Sequence, residues 1–271
     1  MKKMVKRTID YFVYRLMVEH RKMGVSSEES MDIFNYHGLS VLVDNKSHCD
    51  NAIRYTGIFE KEQMDFFSFL WEKGDIKNKF FLDVGAHWGI YALRAWKSNL
   101  FDKIVAFEAD RYNYSQLMAQ VFLNKAIEIN AVNKAVSNTN GIVCVENSIQ
   151  KPYNRGNIGL VGSNKPSSGN PDNDEPIDDV YEVECITLDS FFKPELSDSI
   201  IFIKIDVEGH ESSVLEGMKN MIKNNQVVMQ VEAFPHTEKQ LYEFINANDL
   251  YLLHKIHVDH YITNIPDLLH K

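Results

Sequence analysis

Two stretches of this chain place acids where a folded sheet would offer them to a ligand. In the first, Phe80 to Val84 is an apolar run broken only by Asp83, and Gly85-Ala86-His87-Trp88-Gly89 follows. Gly85 and Gly89 allow a tight turn and a close backbone approach that a Cβ would block. An acid just before such a turn suits a ligand with a positive charge, such as an amino group or a sulfonium. Glu108 ends the next apolar run, Ile104 to Phe107. Its distance from Gly85 is that of the acid that takes ribose hydroxyls in a nucleotide-binding sheet, roughly 20 residues on. The second stretch is Ile203-Lys204-Ile205-Asp206-Val207-Glu208-Gly209-His210-Glu211, and Glu232 closes a further apolar run from Val227. Asp206 has little structural reason to end an apolar strand and reads as functional. His210 either caps the following helix or acts as a base. Lys204 lies inside the strand, where burial is costly without a partner, so it reads as one half of an ion pair with a neighbouring carboxylate.

Such positions need a sheet to hold them. Ile90, Leu93 and Ala95-Trp96 form the apolar face of a helix that opens at the glycine turn, where its first N–H groups lack partners. Tyr114, Leu117, Met118, Val121 and Phe122 mark the next helix, and Ile127 to Val132 a third strand. Ala135-Val136 and Ile142 to Val145 read as a hairpin turned at Asn138-Thr139-Asn140-Gly141. Val180 to Ile186, Ile200 to Asp206 and Val227 to Glu232 are further strands. Between and after them come a short helix at Leu188 to Phe192 and a helix carrying Val214, Leu215, Met218, Met221 and Ile222. A helix over Thr237 to Asn248 follows, with a capping box of Thr237 and Gln240, and Tyr251 begins a terminal strand pair. This alternation predicts an α/β fold with a doubly wound sheet whose ligands lie outside the carboxyl ends of the strands. Asp83, Glu108, Asn133, Asp206 and Glu232 all fall at those ends.

Residues 1–60 read as an N-terminal extension and 61–271 as the main domain. The extension begins with Lys2, Lys3, Lys6 and Arg7 ahead of Ile9, Phe12, Val13, Leu16 and Met17, a basic amphipathic helix expected to pack on its own domain, and Leu39 to Val43 is a short strand. A helix from Glu60 to Glu72 stops at Gly74. From Asn147 to Asp179 the chain is rich in Asn, Gly, Ser and Pro, a length typical of a functional lid or a disordered segment. Its Asp172 to Glu175 and Asp178-Asp179 read as solvated acids, and this loop and the N-terminal sixty residues are the expected specificity elements. A net charge of -9 over 271 residues argues against a nucleic-acid binder. Three scattered cysteines fit neither a disulfide framework nor a zinc site and point to a reducing, cytoplasmic setting. No apolar run reaches the roughly 18 residues of a membrane span.

The Gly-Ala-His-Trp-Gly turn lacks the Gly-x-Gly-x-x-Gly pattern of nicotinamide binders and resembles the first motif of S-adenosylmethionine-dependent methyltransferases. Together with Ala106-Phe107-Glu108, Thr187-Leu188-Asp189, the Lys204 to Glu211 block and Val214-Leu215-Glu216-Gly217, it resembles the FkbM methyltransferase family over about Gly57 to Ala233. The chain departs from that family in having His87 where Asn is frequent, and in the length of the 147–179 loop. The resemblance implies a class I Rossmann-like fold, S-adenosylmethionine as donor, and a hydroxyl on a sugar, glycan or polyketide-like molecule as acceptor. On that reading Asp83 and the turn from Gly85 through Ala86 and His87 to Gly89 hold the methionine end, with Glu108 on the ribose and Asn133 beside it. Asp206 or His210 accepts the hydroxyl proton, and Glu232 orients substrate or base. No metal is assigned, although Asp206, Glu208 and Glu232 are hard oxygen ligands of the kind magnesium takes. A non-catalytic cofactor-binding or scaffold protein would keep the glycines and Glu108, and is the alternative.

Overall fold

The computed structural model describes residues 31–44, 47–73, 78–146, 160, 180–193 and 196–270. The amphipathic N-terminal helix, Gly74 and the whole 147–179 loop except Leu160 lie outside them. The chain divides between Met31 and Asp32, and Asp32–Lys271 forms one unit.

A hairpin of β1 (Met31–Tyr36) and β2 (Leu39–Asp44) leads into α1 (His48–Thr56) and α2 (Lys61–Trp71). Then come β3 (Lys79–Val84), α3 (Ile90–Ser98), β4 (Lys103–Phe107), α4 (Arg111–Asn124), β5 (Ile129–Val132), β6 (Ala135–Val136) and β7 (Gly141–Glu146). The chain continues through β8 (Val180–Ile186), α5 (Leu188–Phe191), β9 (Ile200–Ile205), α6 (Glu211–Glu216) and α7 (Lys219–Asn224). It ends with β10 (Gln226–Glu232), α8 (Glu238–Ala247), β11 (Tyr251–Ile256), β12 (Asp259–Thr263) and a 3-10 turn over Pro266–His270.

Seven strands form the main sheet in the order β11-β12-β10-β9-β3-β4-β5. The five from β10 to β5 are parallel, while β12 runs antiparallel to β10 and β11 antiparallel to β12. Central parallel strands are covered on both faces and so are apolar throughout. Accordingly every residue of Ile200–Ile205 is buried, and successive side chains feed opposite cores. Phe81 and Phe202 join one cluster with α2, α3 and α4, whereas Leu82 and Ile203 join the other with α6, α7 and α8. Strand order reverses between β3 and β9, which end in register at Val84 and Ile205. The crevice above that pair is where a sheet of this kind binds ligands.

The structure corrects four local expectations. First, β6 and β7 do not pair as a hairpin: both flank β8, β6 parallel and β7 antiparallel to it. The strand Val180–Ile186 returns between them, which local turn chemistry cannot reveal. Second, the helix after β9 breaks into α6 and α7 at Gly217, where a Cβ would stand 2.0 Å from the Ser137 carbonyl oxygen. Third, Thr237 makes no side-chain cap. Its hydroxyl donates to the Phe234 carbonyl, and Gln240 accepts from Ser212 on α6.

The fourth concerns α4. Met118 and Phe122 face outward, and Phe122 is 81% exposed. Buried beside Leu117 and Val121 are Gln116 and Gln120, which together with Asn124 bond the free edge of β2. Asn124 exchanges hydrogen bonds with both backbone groups of Ser40 (2.8 and 2.7 Å), and Gln120 with both of Leu42 (2.8 and 2.7 Å). Gln116 donates to the Leu42 carbonyl and to Asp50 of α1. Four helical residues rise about 6 Å, close to the advance of two strand residues, about 6.6 Å, so the spacing matches. Among the described residues no helix is long and apolar enough to cross a membrane.

Candidate active site

A cleft of about 200 Å³ opens at the carboxyl ends of β3, β4, β9 and β10. Asp83, Gly85, Ala86, His87, Glu108, Asp206, His210 and Glu232 line it. Gly89 caps α3 just behind, at a φ of 86°. Asn133 is not among the lining residues; its amide donates to the carbonyls of Glu108 and Ala109 and braces the end of β4.

The turn is shaped by close approach. Gly85 has a φ of 78°, and a Cβ there would stand 1.7 Å from the Asp206 carbonyl oxygen, so β3 and β9 leave no room for a side chain. His87 also takes a left-handed φ of 51°, a region in which Asn and His are the better tolerated non-glycine residues. Glu108 ties the turn to β4: one carboxylate oxygen accepts from the His87 N–H (2.7 Å) and the other from the Asp110 N–H (2.8 Å). Each oxygen retains a second lone pair for a ligand hydroxyl. Burial pushes Glu108 up to about 8, with the Asp110 charge adding to it. Asp83 accepts from the Ala92 N–H (3.0 Å), which satisfies an open donor in the first turn of α3, and burial pushes it up to about 7. A Cβ-free cradle beside two acids suits the ribose and methionine ends of a cationic nucleoside.

At the tip of β9, Lys204 is 3% exposed and lies between Asp206 (3.2 Å) and Asp259 of β12 (3.3 Å). Burial alone would lower the ammonium; the charges of Asp206 and then Asp259 outweigh it and raise it. Burial likewise pushes Asp206 upward, but Lys204 and a hydrogen bond with Glu232 hold it below the ordinary carboxylate range. Glu232 is raised by burial and by the Asp206 charge, so it keeps the proton of the pair. The site thus presents an ionised Asp206 braced by an ammonium and a neutral acid. The network extends through Gln230, whose amide meets Asp259 (2.8 Å) and the Tyr91 hydroxyl (3.0 Å), and through Tyr91 to Glu60 (2.8 Å).

The loop after β9 is held by Glu211, which accepts from the N–H groups of Val207 (3.3 Å) and Gly209 (3.0 Å). It turns through Glu208, at a φ of 51°, and so brings Glu208 to the cleft. Carboxylate oxygens of Asp206, Glu208 and Glu232 come within 4.8 Å of one another. His210 makes no cap bond to the helix; its Nε2 meets the Ser137 hydroxyl at 2.8 Å, and burial lowers its pKa. In the Thr187-Leu188-Asp189 motif the work is structural: Thr187 caps α5, and Asp189 accepts from Asn220 and Met221 at the start of α7.

Sequence reasoning missed Tyr91, Gln230, Asp259, Phe59 and Glu60. A signal existed for Gln230 and Asp259, each a polar residue within a buried strand. For Phe59 and Glu60, which reach the cleft from the connection between α1 and α2, there was none.

A switch-point cleft in a seven-stranded sheet with an antiparallel edge pair, a glycine turn after β3 and an acid after β4 define a class I methyltransferase fold. The model of the methyltransferase FkbM domain matches residues 83–263, and the chain belongs to that family. Membership of a methyltransferase family supports S-adenosylmethionine as the cofactor. Among solved structures, methyltransferase FkbM from Methylobacillus flagellatus KT aligns at 16% identity and a TM-score of 0.43, covering 70% of this chain and 45% of that one. This chain therefore spans less than half of that protein. M. jannaschii TYW2, solved in complex with AdoMet, aligns at 10% identity and a TM-score of 0.46, covering 88% and 86%. A SAM-dependent methyltransferase from Agrobacterium tumefaciens aligns at 9% and 0.46, covering 88% and 71%. A search of curated proteins finds no match.

Proposed function

We propose that this protein methylates a hydroxyl oxygen on a sugar, glycan or polyketide-like small molecule. The observation that carries this reading is the constellation of a buried Lys204 with half-buried Asp206 and Glu232, facing the same cleft as the Gly85 turn and Glu108. Bound S-adenosylmethionine supplies an electrophilic methyl group on a sulfonium. The chain's own task is to align an acceptor oxygen with that methyl group and to receive the proton the oxygen gives up. Alignment of this kind contributes on the order of 7–11 kcal/mol. Asp206 accepts the hydroxyl proton, while Glu232 donates to Asp206 and fixes the plane of its carboxylate. Free thiols at Cys49, Cys144 and Cys185 support a cytoplasmic setting.

Calorimetric titration with S-adenosylmethionine tests the cofactor half. We expect Glu108→Ala to weaken binding by about 10- to 100-fold, the worth of two hydrogen bonds to ribose hydroxyls. Equal affinity would move the ribose elsewhere, and no binding by the intact protein would favour a scaffold role.

The proton acceptor shows in the pH profile. With Asp206 held below the ordinary carboxylate range, kcat should stay level between pH 5 and 8, estimated roughly from ordinary carboxylate and imidazole values. His210 as the base would instead produce an acid limb below the usual imidazole value of about 6.5. The convergence of Asp206, Glu208 and Glu232 supports a second reading, in which magnesium acidifies the hydroxyl. Lys204 already supplies a cation at that point, so we expect turnover to survive EDTA; loss restored by magnesium would reverse the preference.

A further inference from the structure

The family match begins at residue 83, yet one wall of the cleft comes from before it: Cys49, Phe59 and Glu60. Glu60 sits at the N-cap of α2 but does not cap it. Its backbone is left-handed, φ 42° and ψ 41°, a conformation a non-glycine residue holds at a cost and which clusters at ligand sites. One carboxylate oxygen, Oε2, accepts from the Tyr91 hydroxyl at 2.8 Å. The other, Oε1, has no hydrogen-bond partner among the described residues. Its neighbours identify the end of the cleft it serves: Tyr91 also meets Gln230, Gln230 meets Asp259, and Asp259 pairs with the Lys204 that holds Asp206. Phe59 and Trp88, with ring centroids 6.4 Å apart, border the same wall. Glu60 is therefore fixed through Tyr91, on the side of the cleft where Asp206 meets an acceptor.

We propose that Glu60 is an acceptor-binding, specificity-determining residue whose Oε1 takes a hydrogen bond from a second hydroxyl of a polyhydroxylated acceptor, with Phe59, backed by the buried Trp88, against its apolar face. This rests on the hydroxyl-methylating reading above and deepens it. Burial raises the pKa of Glu60 and the Lys204 charge opposes the rise. In its ionised form the carboxylate is an acceptor only, so it selects a hydroxyl donor, and with Asp206 on the same cleft it repels phosphates and uronates. A monohydroxy substrate leaves it desolvated and unpaired, which penalises binding. Two anchors, Asp206 on the reacting hydroxyl and Glu60 on a second one, also fix which hydroxyl is methylated.

Saturation-transfer NMR on the full chain loaded with S-adenosylhomocysteine tests this, using neutral methyl glycosides, cyclohexanol and a glucuronate as probes. We expect at least one glycoside to bind where cyclohexanol and the uronate do not. Glu60→Ala should weaken that glycoside roughly tenfold, with Glu60→Gln recovering part of the loss because an amide oxygen still accepts. Calorimetry should find the affinity for S-adenosylhomocysteine unchanged in both variants, and Tyr91 keeps Gln230 as a partner, so the fold is retained. No glycoside binding, glycoside binding indifferent to Glu60→Ala, or a Gln variant as weak as Ala would each overturn it. Failure of the intact chain to bind S-adenosylhomocysteine would instead strike the methyltransferase reading, and this proposal with it.

Discussion

Replacing Asp206 with Asn should lower kcat by about 100- to 10,000-fold, the usual contribution of a positioned base. S-adenosylmethionine affinity should stay at the level of the intact protein. The substitution preserves shape and removes the charge that receives the proton. It also leaves Lys204 paired with Asp259 at 3.3 Å, so the core keeps a compensated ammonium. Glu232 owes part of its raised pKa to the Asp206 charge and would release its proton more readily in the variant. Isothermal titration and stopped assays of methyl transfer separate the two readouts. Unimpaired turnover would pass the base role to His210, whose imidazole is kept neutral by burial.

Removing the other member of the pair should be a folding lesion first. Lys204→Met leaves Asp206 and Asp259 beside one another with no cation, Asp259 being 3% exposed. Breaking a buried pair from one side costs about 3–5 kcal/mol, a fall in Tm on the order of 10 °C for a domain of this size. The pH dependence has a definite sign. In the intact protein Asp206 has a depressed folded pKa, so its contribution is present above the unfolded value of about 3.9 and is lost as pH falls through the folded one. Without Lys204, the upward push of burial on Asp206 loses its main opponent, so the deficit is largest near neutrality and shrinks as acid protonates that carboxylate. Thermal melts of both proteins at neutral pH and near pH 4, about the usual carboxylate value, measure this. A variant that melts with the intact protein at neutral pH would mean that Lys204 carries no structural charge.

The parallel strands were legible because a strand buried on both faces must be apolar, and Asp83, Glu108, Asp206 and Glu232 then stood out as acids at strand ends. Lys204 was legible as half of an ion pair for the same reason, although Asp259, its second partner 55 residues on, was not. Pairing across such separations depends on topology, as does the insertion of β8 between β6 and β7. The outward Phe122 and inward Gln120 of α4 defeated an apolar-face reading, because that helix docks through amides. Glu60 was invisible: nothing in Ile58-Phe59-Glu60-Lys61 tells that the backbone turns left-handed there and aims a carboxylate at the cleft.

The amide ladder between α4 and β2 makes a side-chain array stand in for a neighbouring strand. Its bonds to Ser40 and Leu42 last only while the helix is docked, so the exchange of those two amide protons with solvent reports on that docking. Gln116 is shared between β2 and Asp50 of α1, and α1 begins at the segment that carries Cys49 into the cleft. Release of the ladder would therefore loosen the wall that carries Cys49 while the glycine turn and Glu108 stay anchored on the central sheet. The two sides of the cleft thus hang from different supports: the glycine turn and Glu108 from the central parallel strands, and Cys49 from a helix tied by side-chain amides.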